Sequence, residues 1–319
     1  MFNFYFNANY WLEGKKLIGK PLLNSKLLNS YKRNKFNNSL PINDNLVYSG
    51  PEKLVNNFLK MFSNNQLDVS INNKKFINNY FIQYDTNVKK IFKSIYSKNE
   101  NYIIGPLYDL NNLHEIINLS LNKNNVKIVV ASYENITNFK KLNNKLDDKN
   151  FVVLPGPVLN NNFEIKPKKY DFIVYFKNRN YEELKKITNF LDKKKFKYVI
   201  LKYGEYNPLK FKNAVSSSKA AIVIAGTESQ GFAIQEMMIS NLPLFVFDYK
   251  INKYANYNFI GTTVPYWSDE CGEKVENFED FEKKIMNFFN NLEKYNPYKL
   301  VSRELSPSVI YKKILSIYI

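Results

Sequence analysis

The sequence predicts an α/β protein made of two Rossmann-like, doubly wound domains in tandem. Three observations predict it. From Asn45 onward, short apolar or β-branched runs alternate with segments whose apolar residues recur at helical spacing. The alternation breaks at a proline-punctuated stretch holding Pro155, Pro157 and Pro167, then resumes at once. Strands that alternate with helices, rather than with tight hairpin turns, belong to parallel sheets covered on both faces. Two such domains face each other across a cleft at the carboxyl ends of their strands, where ligands bind.

Residues 1–44 hold an aromatic start and a Lys- and Asn-rich stretch around Lys26 to Asn38, and read as a peripheral extension. Residues 45–160 form the first expected domain. Its strands are Leu46–Tyr48, Tyr102–Ile104, Val126–Ala131 and Phe151–Leu154. Between them, Leu54, Phe58 and Met61 mark a helix over Glu52–Ser63, and Val88, Ile91 and Ile95 another over Asn87–Tyr96. The Asn-rich stretch Leu159–Lys169 suits a domain crossing. Residues 161–305 form the second expected domain. It runs strand Phe172–Phe176, helix Tyr181–Leu191, strand Tyr198–Lys202, helix Leu209–Ser217, strand Ala221–Ala225, helix Gly231–Ser240 and strand Leu244–Phe247. Ser306-Pro307, a cap residue before proline at a first helical position, opens a last helix over 306–319.

Composition narrows the function classes. At 319 residues with 45% hydrophobic and 16% aromatic content, the chain can bury two cores and is not of disordered type. Its longest apolar runs, Ala220–Ala225 and Leu242–Phe247, fall far short of the roughly 20 residues of a membrane span. The N-terminus lacks a basic stretch followed by an apolar one, which argues against a secretory signal. Cys271 is the only cysteine, so an internal disulfide and a thiolate zinc site are both excluded, and a cytoplasmic location is expected. The formal charge is +17, yet only Arg33, Arg179 and Arg303 of the 46 basic residues are arginine, and the lysines are scattered. That is the mark of AT-rich codon drift rather than of a nucleic-acid stripe. No specific nucleic-acid partner is expected; a basic surface suits anionic substrates or peripheral contact with an anionic membrane face.

The chemistry concentrates in Gly226-Thr-Glu-Ser-Gln-Gly-Phe-Ala-Ile-Gln-Glu236, which leaves strand Ala221–Ala225 and enters a helix. Glu228 lies in the strand-to-helix loop. Gly231 comes where the helix starts, so the N–H groups of Gly231 and Phe232 belong to the unpaired donors of a helix N-terminus. Such an end attracts anions, and a residue without Cβ admits them closely. Glu236 follows by just over one turn, where a carboxylate can accept two hydrogen bonds from a vicinal diol such as that of ribose.

This stretch, Gly226 to Asp248, resembles the C-terminal signature of retaining GT-B glycosyltransferases of the family-4 type. Their pattern is two glutamates separated by seven residues, glycine three positions after the first, Ala-Met after the second, then glycine and a proline leading into a strand. Glu228, Gly231, Glu236, Met238 and Pro243 match it; Gln230 replaces an aromatic, Met237 an alanine and Asn241 a glycine. The resemblance covers about twenty residues closely, 170–248 more loosely, and 45–160 in architecture alone. It implies a GT-B fold and transfer of a sugar from a nucleoside-diphosphate sugar to a hydroxyl acceptor such as a glycan, with retention, no metal and no cofactor. Glu228 is the implied catalytic residue beside the donor sugar. Lys177 and Arg179, at the end of Ile173–Arg179, are implied against the diphosphate. Ser229, Gln230, Gly231, Phe232 and Glu236 are implied in the donor site, with Lys202 and Tyr203 as candidates for the base. Gly50 and Gly105 are implied to line the cleft from the N-terminal domain.

Other readings stay open at this point. The same residues suit another GT-B nucleotide-sugar enzyme such as an epimerase, or a non-catalytic basic module for nucleic acid or anionic surfaces. His114, the sole histidine, is a candidate base for an inverting enzyme, although its place at the start of an amphipathic helix suits a solvated side chain. Asp269, Glu270 and Glu273 cluster around Cys271 and read as a mixed loop rather than a metal site. No Asp-x-Asp motif and no GxGxxG after a strand occur, which argues against metal-dependent GT-A and nicotinamide chemistry.

Overall fold

The computed structural model describes residues 2–5, 50–64, 69–71, 77–84, 86–108, 113–160, 166–254 and 257–317. The chain divides into two compact units, Met1–Pro157 with Ile310–Ile319, and Val158–Val309. The expected strand Leu46–Tyr48 and the stretch around Lys26 to Asn38 lie outside the described residues.

The first unit is a parallel sheet. Its strands are β1 (Phe2–Tyr5), β2 (Val69–Ile71), β3 (Asn78–Tyr84), β4 (Asn101–Tyr108), β5 (Val126–Val130) and β6 (Phe151–Val153) in the spatial order β2-β1-β3-β4-β5-β6. The helices are α1 (Gly50–Asn64), α2 (Thr86–Ile95), α3 (Leu113–Asn122) and α4 (Tyr133–Leu142). One correction concerns the N-terminus. Phe2–Tyr5 is not peripheral: it pairs with β2 on one side and β3 on the other, and Phe4 and Tyr5 are fully buried. Phe4 packs on Phe58 and Phe62 of α1 and on Tyr80 of β3, while Tyr5 points to the opposite face and stacks on Phe81 at 4.2 Å. Four residues are too short for a period to show, so a strand whose neighbours all come later in the chain reads as a tail.

The second unit is also a parallel sheet, of β7 (Tyr170–Lys177), β8 (Tyr198–Lys202), β9 (Ser218–Ala225), β10 (Leu244–Phe247) and β13 (Gly272–Val275), ordered β13-β10-β9-β7-β8. A separate antiparallel hairpin, β11 (Ile251–Tyr254) with β12 (Tyr257–Ile260), is inserted after β10. The helices are α5 (Tyr181–Lys193), α6 (Pro208–Ser217), α7 (Phe232–Ile239), α8 (Phe278–Asn290) and α9 (Pro297–Glu304); the last helix, α10 (Pro307–Ile317), starts at the end of this unit and from Ile310 onward belongs to the first. The central strands read as continuous apolar runs because both faces are covered. Ile173, Ala221, Val223 and Val246 pack with Phe211 of α6, Ile234 and Met237 of α7 and Val301 of α9. Phe172, Val174, Ile222 and Phe245 pack with Leu184 of α5 and Phe281 of α8. Asparagine opens four of these helices. Asn180, Asn207, Asn277 and Asn296 each accept a backbone N–H of the first turn, at 3.0, 2.7, 2.9 and 3.3 Å.

Both units are doubly wound α/β. In the second, the chain leaves β7 for β8 on one side and returns to β9 on the other. The strand order therefore reverses between β7 and β9, and in open α/β sheets ligands bind at the carboxyl ends of the two strands that flank such a reversal.

Candidate functional site

Lys177 ends β7, and Gly226-Thr-Glu228 follows β9. The two strand ends are tied by Gly226 N–H donating to Lys177 O at 3.0 Å. Tyr175 and Lys177 share one face of β7, by the two-residue repeat of a strand. At this reversal point the Lys177 ammonium lies 2.6 Å from a carboxylate oxygen of Glu228, with side-chain exposures of only 19% and 13%. The same ammonium sits 4.5 Å from the centroid of the Tyr203 ring. A cation held between an aromatic face and a carboxylate, mostly out of water, interacts strongly with both.

The neighbouring cations are arranged alike. Asn178 adopts a left-handed conformation, φ 54°, which turns the chain after β7. Arg179 then pairs with Glu183 of α5 at 2.6 Å, approaches Ala225 O at 3.4 Å, and lies over the Tyr249 ring at 4.6 Å. Lys202, at the end of β8, lies 5.2 Å from the Tyr181 ring centroid and 3.9 Å from Glu205. Tyr181, Tyr203 and Tyr249 are themselves exposed.

Gly231 is the residue before α7, with φ 81° and ψ 57°, a left-handed conformation that glycine adopts without strain. Its carbonyl accepts from Ile234 and Gln235, both at 3.0 Å, so it closes the first turn. Glycine has no side chain to cap that turn, which leaves the N–H groups of Phe232 and Ala233 as donors at the helix N-terminus. Glu228 Cβ and Cγ lie 3.5 Å from where a Cβ on Gly231 would stand, so loop and helix start are in register. Ser229 is exposed; Gln230 is buried. The Gln230 amide donates to the Gln235 side chain, which returns a hydrogen bond to Gln230 O, both at 3.0 Å. Gln230 thus pins the loop to α7 from within. Glu236 is 5% exposed on α7, not the solvated residue that its helical position alone would suggest.

Two tyrosines of this site gave no signal at the level of motif. Tyr175 on β7 is buried, and the Tyr206 phenol is pushed up to about 12 by burial and by the charges of Glu236 and Glu228. Burial likewise raises Tyr175 well above the usual phenol range, with Tyr206 and Glu228 adding to it. Both stay protonated and so remain hydroxyl donors beside the two glutamates. The available signal was the placement of Tyr175 two residues before Lys177 on the same strand face.

Elsewhere the candidates scatter. Gly50 begins α1. Gly105 is buried inside β4 with φ 118°, where a Cβ would run into Tyr108 and the carbonyl of Val129, so both backbone conformation and packing call for glycine there. His114 is exposed on α3. Glu270 pairs with Arg303 at 3.1 Å, and Glu273 accepts from Tyr295 at 3.1 Å.

No family model matches the chain, and no curated protein matches it. Among solved structures, a mutant of S. aureus TarM in complex with fondaparinux, alpha-GlcNAc-glycerol and UDP aligns with 75% of this chain and 55% of its own. That alignment has 17% identity and a TM-score of 0.49. The pneumococcal O-GlcNAc transferase GtfA, in complex with UDP and GlcNAc, aligns with 86% of this chain and 61% of its own, at 14% identity and a TM-score of 0.44. WaaG, a glycosyltransferase involved in lipopolysaccharide biosynthesis, aligns with 84% of this chain and 95% of its own, at 10% identity and a TM-score of 0.47. The chain spans little more than half the length of TarM.

Proposed function

We propose that the chain is a GT-B glycosyltransferase whose second unit binds a nucleoside-diphosphate sugar and whose first unit serves the hydroxyl acceptor, a glycan. The observation that carries the reading is the half-buried Lys177–Glu228 pair at the reversal point of the second sheet, one loop before the helix N-terminus at Gly231. Departure of a sugar from a diphosphate builds negative charge on the leaving oxygens and positive charge on the sugar. Lys177 and the N–H groups of Phe232 and Ala233 supply fixed positive charge for the first; Glu228 supplies negative charge for the second. Preorganised donors of this kind are worth about 3 kcal/mol each. Arg179 adds positive potential from beside Lys177, Ser229 and Phe232 flank the glutamate loop, and Lys202 and Tyr203 hold the base. Glu236 accepts the ribose hydroxyls. Gly50 and Gly105 are the first unit's proposed contribution.

The resemblance of Gly226 to Asp248 to the retaining pattern supports retention, with the leaving phosphate taking the acceptor's proton. The reading is also metal-independent, because cations and helix dipole already meet the diphosphate. Among the described residues no helix is long and apolar enough to cross a membrane.

The test is a thermal-shift panel of nucleoside diphosphates and their sugars, without and with EDTA. One of them at a hundred times its Kd stabilises the fold by about 2.7 kcal/mol, and the shift persists in EDTA. If no member shifts Tm, the reading is wrong; a shift or turnover restored only by Mn²⁺ or Mg²⁺ would remove its metal-free part. Glu236→Ala, with the fold checked by circular dichroism, is expected to weaken nucleoside-diphosphate binding about tenfold or more, since hydrogen bonds to a charged acceptor contribute about 1.5–3 kcal/mol each. Unchanged affinity by calorimetry would take Glu236 out of the site.

A further inference from the structure

Gly261–Val264, the segment after β12, runs along the Glu228 loop and is fastened to three strand ends by side chains far apart in sequence. Glu228 N–H donates to Thr262 O at 3.0 Å. A Cβ on Gly261 would come within 2.9 Å of the Thr227 side chain, so the two segments are in contact where glycine stands. Thr263, fully buried, accepts from Tyr249 N–H at 2.8 Å. Its hydroxyl lies 3.2 Å from Ala225 O, the last carbonyl of β9, and 3.1 Å from Phe247 O, the last of β10, within donating reach of either. Thr263 N–H donates to Asp248 at 2.9 Å. The Thr262 hydroxyl donates to the same Asp248 oxygen at 2.5 Å and accepts from the Lys274 ammonium at 2.9 Å. Lys274, on β13, also donates to Val264 O at 3.2 Å and lies 3.7 Å from the second Asp248 oxygen.

From this geometry we infer that Thr262, Thr263, Asp248 and Lys274 are positioning residues that set where the Glu228 carboxylate stands relative to Lys177. The hydrogen bond that ties the strap to Glu228 joins backbone to backbone, so its effect is on placement and not on charge at the site. The catalytic consequence rests on the glycosyltransferase reading; the geometric one does not. A displacement of about 1 Å in a reacting group costs on the order of a hundredfold in rate, whereas a nucleotide held by Lys177 and the α7 N-terminus would barely register it.

The experiment is Thr262→Val, which keeps the shape and removes the hydroxyl bridge between Asp248 and Lys274, with Thr262→Ser as the conservative partner and Asp248→Ala as a second break. Amide hydrogen exchange is followed residue by residue by NMR, and kcat is measured alongside UDP, ADP and GDP affinity. In Thr262→Val and Asp248→Ala the Glu228 amide is expected to exchange about tenfold faster while the Ile222 amide inside β9 is unchanged. Over the same change, kcat falls about tenfold or more, nucleoside-diphosphate affinity stays within about threefold, and Thr262→Ser restores both readouts. Unchanged exchange at Glu228 in both breaking variants overturns the inference, as does equal acceleration at Glu228 and Ile222, the pattern of a general loss of stability. If the parent protein binds none of the three nucleotides, the glycosyltransferase reading falls, and the exchange data still decide whether the strap positions Glu228.

Discussion

Glu228→Gln is expected to lower sugar transfer by on the order of a hundredfold while nucleoside-diphosphate affinity holds within about threefold or tightens. The substitution keeps the size and most hydrogen bonding of the side chain and removes its charge. Interactions that matter only as charge develops act on kcat, and electrostatic terms beside the reacting centre are the large ones. The tightening has its own cause. In the free protein the Glu228 carboxylate lies 2.6 Å from the Lys177 ammonium and neutralises it. A diphosphate must compete with that carboxylate; with glutamine in its place the ammonium keeps only the Tyr203 face as an electrostatic partner among the contacts described above. Steady-state kinetics and calorimetry with the free nucleoside diphosphate check both halves. Rate and affinity falling together would put Glu228 in the nucleotide pocket instead of beside the sugar. Neither changing would make the loop structural.

Phe4→Ala is expected to cost about 3–5 kcal/mol of stability, the range for removing a buried phenylalanine from a core. Phe4 is wholly buried, with ring centroids 5.8, 5.2 and 5.3 Å from those of Phe58, Phe62 and Tyr80. A cavity there would loosen α1 from both β1 and β3. Phe4→Leu, which retains most of the volume, should lose clearly less. Denaturant unfolding of the two variants gives the comparison, and a loss below about 1 kcal/mol for alanine would mean that β1 does not belong to the core.

The contrast between these two positions shows what can be read from residues alone. Glu228 was visible because its neighbours Gly231, Glu236 and Pro243 form a local pattern with a local cause: a strand, a loop, a helix start and a carboxylate one turn on. Tyr198–Lys202 and Leu244–Phe247 were read to the residue because a short β-branched or aromatic run between turn formers has one local solution. Asn78–Tyr84 was missed although it pairs with both β1 and β4, since an Asn- and Gln-containing run of mixed polarity declares no face. The α8 and α9 helices were missed despite Asn277 and Asn296-Pro297, since asparagine is so common in this chain that its capping role does not stand out.

By itself, then, the sequence determined the alternation of strands and helices, its break into two α/β units, and the loop and helix start that hold Glu228, Gly231 and Glu236 at fixed spacing. These rest on interactions within a few residues of one another, and hydrophobic period, glycine conformation and helix geometry act at that range. The tertiary structure alone decided that Phe2–Tyr5 enters the middle of a sheet, that β7 and β9 are the neighbours flanking the reversal, and that Lys177 meets Glu228 there. It also decided that Thr262 and Thr263 reach back to the ends of β9 and β10. Each of these joins groups far apart along the chain, and such pairs are chosen by which packing buries much apolar surface while pairing most buried polar groups, a property of the whole fold that no local stretch contains.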